Sequence, residues 1–366
     1  MLKKATALLV AGLSAATWTS CGTTSSHYVY ATLPSANEIA VLREDPNSGT
    51  LTTLLNSPFA TGQAPESVLL HPSGSSLYVA NSAEDTISLF SIAPSTGILT
   101  EVSRTPTGGL TPLFMAMDKA NSFLYVANAV DGTLSAFSFA SDGTLTPVGG
   151  SPFTLNVVAF GMALSPSGNF LFLGTERQTG PGIEQGQIAV FSLSGGVPAA
   201  VGEFPTSVNT IPNGLVVDST GTYLYATNGN GGNSISEFTI TSTGALQQFP
   251  DSPLGESGVS APVALLIDPS GKYLYVANQG SSNSSSGNLA AYSIGTGGGL
   301  TILTLSPFST VKQPTSLAAD PNGKYLMVGG QSGSLEVFLL NTGNGTLGEV
   351  ATYSPGGFPS SIAVLQ

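Results

Sequence analysis

Leu274-Tyr275-Val276-Ala277-Asn278 decides the fold, because the chain writes the same phrase at Leu77-Tyr78-Val79-Ala80-Asn81, Leu124-Tyr125-Val126-Ala127-Asn128 and Leu224-Tyr225-Ala226-Thr227-Asn228. Degenerate copies stand at Val29-Tyr30-Ala31, Leu171-Phe172-Leu173 and Leu326-Met327-Val328, which makes seven. The marker residue falls at 30, 78, 125, 172, 225, 275 and 327, in steps of 47 to 53 residues. Repeats of this length built on short β-favouring runs predict an all-β propeller, in which each repeat is one small sheet packed against its neighbours.

Working outward from the phrase gives the other strands of the unit. Upstream lies an apolar run opened by Pro65, Pro112, Pro212, Pro262, Pro314 or Pro359, with Ala159 in that place in the fourth repeat. These runs are apolar on both faces, which predicts a first strand buried at the ring axis. Turns such as Asp268-Pro269-Ser270-Gly271 and Asp320-Pro321-Asn322-Gly323 connect it to the phrase, with Pro presetting φ and Gly accepting a positive φ. Downstream, Ser234-Ile235-Ser236-Glu237-Phe238-Thr239-Ile240 alternates with period two, and Gly143-Thr144-Leu145-Thr146 opens a fourth strand after a Gly turn. The unit is thus a four-stranded antiparallel blade. The chain starts its first repeat at a second strand, 28–32, and ends on an unaccompanied first strand, 359–365. The last strand is therefore expected to join the N-terminal blade, closing a seven-bladed β-propeller over 28–366 and removing its free edges.

Residues 1–21 read as an export signal: Lys3 and Lys4, an apolar run over 5–18 that is too short for the ~20 residues of a bilayer span, and then Thr19-Ser20-Cys21. A small residue before Cys at this distance resembles the lipobox of bacterial lipoproteins, with Trp18 where that motif usually has Leu. The resemblance implies lipid attachment at Cys21 and a protein anchored on the periplasmic or cell-surface side. A plain signal peptide, giving a periplasmic or secreted form, stays open. Residues 22–27 read as a short linker. Cys21 is the chain's one cysteine, so no intramolecular disulfide can form. Setting Lys3 and Lys4 aside leaves seven basic residues against 21 acids, a balance that repels phosphate backbones and anionic headgroups. Nucleic acid is excluded as a partner, and membrane contact is expected only through the anchor, for a chain acting as a monomer.

The repeated phrase, the Asp-Pro-Ser-Gly turn, Thr96-Gly97-Ile98-Leu99-Thr100 and the Ser-Pro-Phe triplets at 57–59, 151–153 and 306–308 together resemble the seven-bladed β-propeller lactonase family. That family includes the propeller-type 6-phosphogluconolactonase, the carboxymuconate cycloisomerase and surface proteins with YVTN repeats, and the resemblance covers about 27–366. It implies hydrolysis of a sugar lactone by activated water at the mouth of the central channel, without a covalent intermediate. No cofactor motif is legible. Enzymes of the family often carry His and Arg just after the Pro of the first strand. Here the seven positions hold Glu66, Leu113, Phe160, Asn213, Val263, Thr315 and Ser360.

Lactone hydrolysis requires a general base and a partner for the oxyanion. Glu66, the one ionisable group at these positions, is the candidate base. Arg177, beside Glu176 in the long charged connection of the fourth repeat, is the candidate partner for the oxyanion or a substrate carboxylate. Because the mouth offers neither His nor Arg, a second function stays open: a non-enzymatic binding module whose top face or channel holds a glycan, a peptide or a protein.

Other polar residues read as structure. His71 occupies the turn position held elsewhere by Asp118, Asp218, Asp268 and Asp320, where the side chain caps backbone amides. His27 adjoins the linker with no metal-ligand spacing around it, and no metal is expected. Gly343-Asn344-Gly345-Thr346-Leu347-Gly348 spells the dinucleotide fingerprint, but no helix follows and it reads as a turn.

Overall fold

The computed structural model describes residues 27–365 apart from 119, 121, 181–182, 209, 230–231, 256–259 and 281–286, and apart from the side chains of 178–180, 183–184 and 207–208. The export signal and Cys21 lie outside the described residues. Among the described residues there is no helix, and therefore none long and apolar enough to cross a membrane.

Seven antiparallel sheets form the ring. Their innermost strands are Pro65–Leu70, Pro112–Met117, Gly161–Leu164, Ile211–Val217, Pro262–Ile267, Pro314–Ala319 and Ile362–Leu365. Each touches the next in this order, and the last touches the first. The deepest burial, however, belongs to the second strand, not the innermost one: Ser76–Asn81 and Tyr273–Asn278 are buried end to end, whereas Pro65–Leu70 and Pro262–Ile267 are buried only in part. The second strand has a neighbouring blade on both faces, while the first turns an edge of its surface toward the ring axis.

The repeated tyrosine is an inter-blade fastener. Tyr30, Tyr78, Tyr225 and Tyr275 donate their hydroxyls to the carbonyls of Gly97, Gly143, Gly298 and Gly345, each in the Gly turn of the following blade. That turn needs glycine twice over. At Gly97, φ is +68° and an added Cβ would lie 2.3 Å from the Tyr28 ring. Seven apolar clusters fill the seven interfaces between blades. Tyr275→Phe, which keeps the ring and leaves the Gly345 carbonyl unpaired, should lower stability by about 1–2 kcal/mol, read as a shift in the urea midpoint.

Two further motifs carry backbone bonds. The Ser-Pro triplets contain cis peptide bonds, and Ser57, Ser151, Ser252 and Ser306 accept the amides of Val41, Ala136, Glu237 and Ala291 on the third strands. Asn81, Asn128 and Asn228 are buried and donate to hydroxyls at the start of the third strand, such as Ser88, Ser135 and Ser236. They tie the sheet together.

Closure is antiparallel, with Tyr28, Val29, Tyr30 and Ala31 opposite Leu365, Val364, Ala363 and Ile362. The strand is shorter than the expected 359–365, because Ser360 and Ser361 bond to Thr32 through both its backbone and its hydroxyl. Alternation then sends Ile362 and Val364 into the interface with blade seven, and Ala363 and Leu365 into that with blade two. The first strand also begins one residue early, as His27–Leu33. The charged connection of blade four is a continued hairpin, not a loop: Phe170–Gly180 pairs with Ile183–Ser194, placing Glu176 opposite Gly186 and Arg177 opposite Gln185.

Candidate functional site

All seven innermost strands start at one end of the ring, where the second strands finish; Pro65, for example, stands opposite Asn81. Glu66 is half-buried there. Burial pushes its carboxyl above the usual range, and the neighbouring Ser360 hydroxyl, which donates to the main-chain carbonyls of Pro65 and Glu66, pulls it partly back. The Ser360 hydroxyl lies 2.8 Å from that of Thr32, so the one ionisable group of the mouth is tied to the closing segment of the chain. Two other polar groups at these positions are engaged by the scaffold: Asn213 accepts the Thr227 hydroxyl at 2.7 Å, and Thr315 donates to the Pro359 carbonyl at 2.8 Å.

Two clefts open on this face. One, of about 430 Å³, is lined by Phe160, Asn213 and Val263 of the mouth together with Gln279. The other, of about 600 Å³, is lined by Arg177, Glu176, Gln187 and Glu203, with Val158 on its wall. Val158 and Phe160 are two residues apart, so the clefts lie on either side of one short segment. The structure thus brings Arg177 and Glu176 together and adds Gln187 and Glu203, which sequence reasoning missed because they arrive from the third and fourth strands of the blade. Glu66 lines neither cleft.

A family profile described as "Lactonase, 7-bladed beta-propeller" matches residues 23–160 and 246–364. The chain belongs to that family. Glu66 falls within the matched residues of this lactonase propeller, and Glu176 and Arg177 fall between the two matched stretches. Solved structures share the fold at low identity. A protein of Bacteroides uniformis provisionally named a 6-phosphogluconolactonase is 19% identical with a TM-score of 0.77, over 93% of this chain and 100% of that one. A second such protein, from Bacteroides fragilis, is 19% identical with a TM-score of 0.76, over 94% and 99%. The periplasmic gluconolactonase PpgL of Pseudomonas aeruginosa is 20% identical with a TM-score of 0.76, over 93% and 99%. No curated protein sequence matches this chain.

At the opposite end of the ring, His71 caps its turn as expected, with Nδ1 accepting the Ser73 amide at 3.1 Å. His27 differs from its expectation. It opens the first strand opposite Glu44, and both side chains are buried against Asp320 of blade seven. No local spacing reveals this trio, because 276 residues separate Glu44 from Asp320 and only ring closure joins them.

Proposed function

We propose that this lactonase propeller is an exported hydrolase of unphosphorylated sugar lactones, acting at the channel mouth with Glu66 as general base. The observation that carries the reading is Glu66 itself: half-buried at the mouth and raised in pKa by that burial, with the Ser360 hydroxyl bonded to its main-chain carbonyl. A carboxylate of raised pKa is a stronger base at neutral pH. In the reaction it takes a proton from water as the water oxygen bonds to the lactone carbonyl carbon. The ring C–O bond then breaks, and the leaving alkoxide receives the proton back, giving the open hydroxy acid and regenerating the carboxylate.

Arg177 supplies the positive charge that the mouth lacks, from the adjoining cleft that it lines with Glu176 and Glu203, where it serves the oxyanion or the carboxylate of the opening ring. The acidic surface and an extracytoplasmic address both argue against a phosphorylated lactone, which arises inside cells. The test is purified protein against a panel of aldonolactones with spontaneous hydrolysis subtracted. Turnover at the spontaneous rate throughout would favour the binding-module reading, which the lone carboxylate at the mouth also fits.

Export with anchoring at Cys21 is part of the proposal. The sequence of 1–21 supports it, and a gluconolactonase sharing this fold is described as periplasmic. Cys21→Ser should move the protein from the membrane fraction to the aqueous one, because two acyl chains hold where one is marginal. Wild-type protein found wholly in the aqueous fraction with an unmodified mature terminus would count against the anchor.

A further inference from the structure

We propose that His27, Glu44 and Asp320 form a binding site for one divalent transition-metal cation, zinc by preference, which clamps the first blade to the seventh at the ring seam. The repeat itself shows how unusual the position is. In the other six blades the residue at the place of Glu44 is Ile92, Phe139, Leu193, Ile240, Ile294 or Leu340. The fold asks for an apolar side chain there, and in blade one it holds a carboxylate of 0% exposure. A buried carboxylate without compensation is strongly disfavoured. Yet Glu44 Oε1 has no hydrogen-bond partner, and Oε2 meets only His27 Nδ1 at 3.3 Å.

The third group departs from its repeat as well. At Asp218 and Asp268 the second carboxylate oxygen is closed off by the amide and hydroxyl of Thr220 and Ser270. At Asp320 the corresponding residue is Asn322, which offers its amide at 3.2 Å but no hydroxyl. Asp320 Oδ2 instead faces His27 Nδ1 at 3.8 Å. Three donor atoms from two blades therefore converge within 4.8 Å of one another, all on buried side chains.

The spacing fits the ion. Ligand atoms held tetrahedrally about 2.0–2.2 Å from zinc stand about 3.3–3.6 Å apart, close to the 3.3 and 3.8 Å found here. One imidazole nitrogen with two carboxylates suits zinc and its neighbours, whereas calcium and magnesium take six or more oxygens or keep much of their water. An outer partner is also in place. The Asn322 side-chain nitrogen lies 3.3 Å from His27 Nε2, and with a cation on Nδ1 a half-turn of that amide would present its oxygen to the Nε2–H and fix the ring. Lys324, whose charge offsets part of the burial of Glu44, is itself held by the carbonyls of Pro46 and Asn47.

The test uses the purified protein dialysed against a chelator, then titrated with zinc chloride by calorimetry and melted with zinc, magnesium or calcium at equal concentration. One zinc per chain should bind, and zinc alone should raise the melting temperature. Glu44→Leu restores the residue type of the other blades and should fold, melt cooperatively and bind zinc at least about 100-fold more weakly. His27→Gln, which keeps a polar side chain at the seam, should show the same loss. Absence of zinc binding to the wild-type protein, an undiminished response in either variant, or an equal response to magnesium or calcium would overturn the assignment.

Discussion

Protein lacking residues 359–366 should aggregate on purification and lose its single cooperative melting transition. The truncation removes the innermost strand of blade one and, with it, side chains in two interfaces at once: Ile362 and Val364 leave the contact with blade seven, while Ala363 and Leu365 leave that with blade two. Fully burying a Val, Leu or Ile side chain is worth about 1.5–3 kcal/mol, and the four-residue ladder with Tyr28, Val29, Tyr30 and Ala31 disappears as well. The sum approaches the 5–15 kcal/mol that typically holds a domain folded. The truncation also exposes the unpaired edge of His27–Leu33, a template for pairing with another chain. Size-exclusion chromatography and calorimetry decide the matter. A monomeric truncated chain that melts as the full chain does would mean that the closing strand is dispensable.

Glu66→Gln should reduce lactone turnover by about 10²–10⁴-fold while leaving the melting transition in place. That range is about 3–5 kcal/mol of barrier, large enough to separate a general base from a bystander on the rim. The dependence on pH has a definite sign. Glu66 acts only when ionised, and burial raises its pKa, so the acid limb of the rate profile should lie above the pH at which an ordinary glutamate titrates. Ser360→Ala removes the hydrogen bond that pulls the pKa down, and should move this limb further up. Arg177→Gln should leave the limb where it is and weaken transition-state stabilisation or substrate binding. Full activity in Glu66→Gln would place the chemistry elsewhere, with the 600 Å³ cleft of Arg177 and Glu176 the next place to test.

The legible part of this protein is its local grammar. The Leu-Tyr-Val-Ala-Asn phrase marks a repeated strand, though not that it is buried more deeply than the first strand, and the Asp-Pro-Ser-Gly type of turn marks a place where only certain residues satisfy the backbone. Both are encoded within a few residues, and the ring follows from counting them and noting that the chain begins and ends on complementary strands. Glu66 was equally legible, because its place after Pro65 is fixed by the repeat. Arg177 lies on the face that the repeat predicts, but on a strand and not in a loop, since the pairing of Phe170–Gly180 with Ile183–Ser194 carries the hairpin beyond the length of the other blades.

What the sequence alone determined was what the repeat imposes: seven antiparallel blades, the order of their strands and the strand that closes the ring. What only the tertiary structure decided was every contact that the repeat does not impose, across the seam, at the mouth and along the lengthened hairpin of blade four. It tied Glu66 to Ser360, gathered Arg177, Glu176, Gln187 and Glu203 around one cleft, and set His27 and Glu44 against Asp320. The reason is physical. Periodicity and turn chemistry act over a few residues and repeat themselves, whereas these groups are brought together only when the ring closes or when one blade extends its pairing beyond the common length, so nothing in their local sequence reports their neighbours.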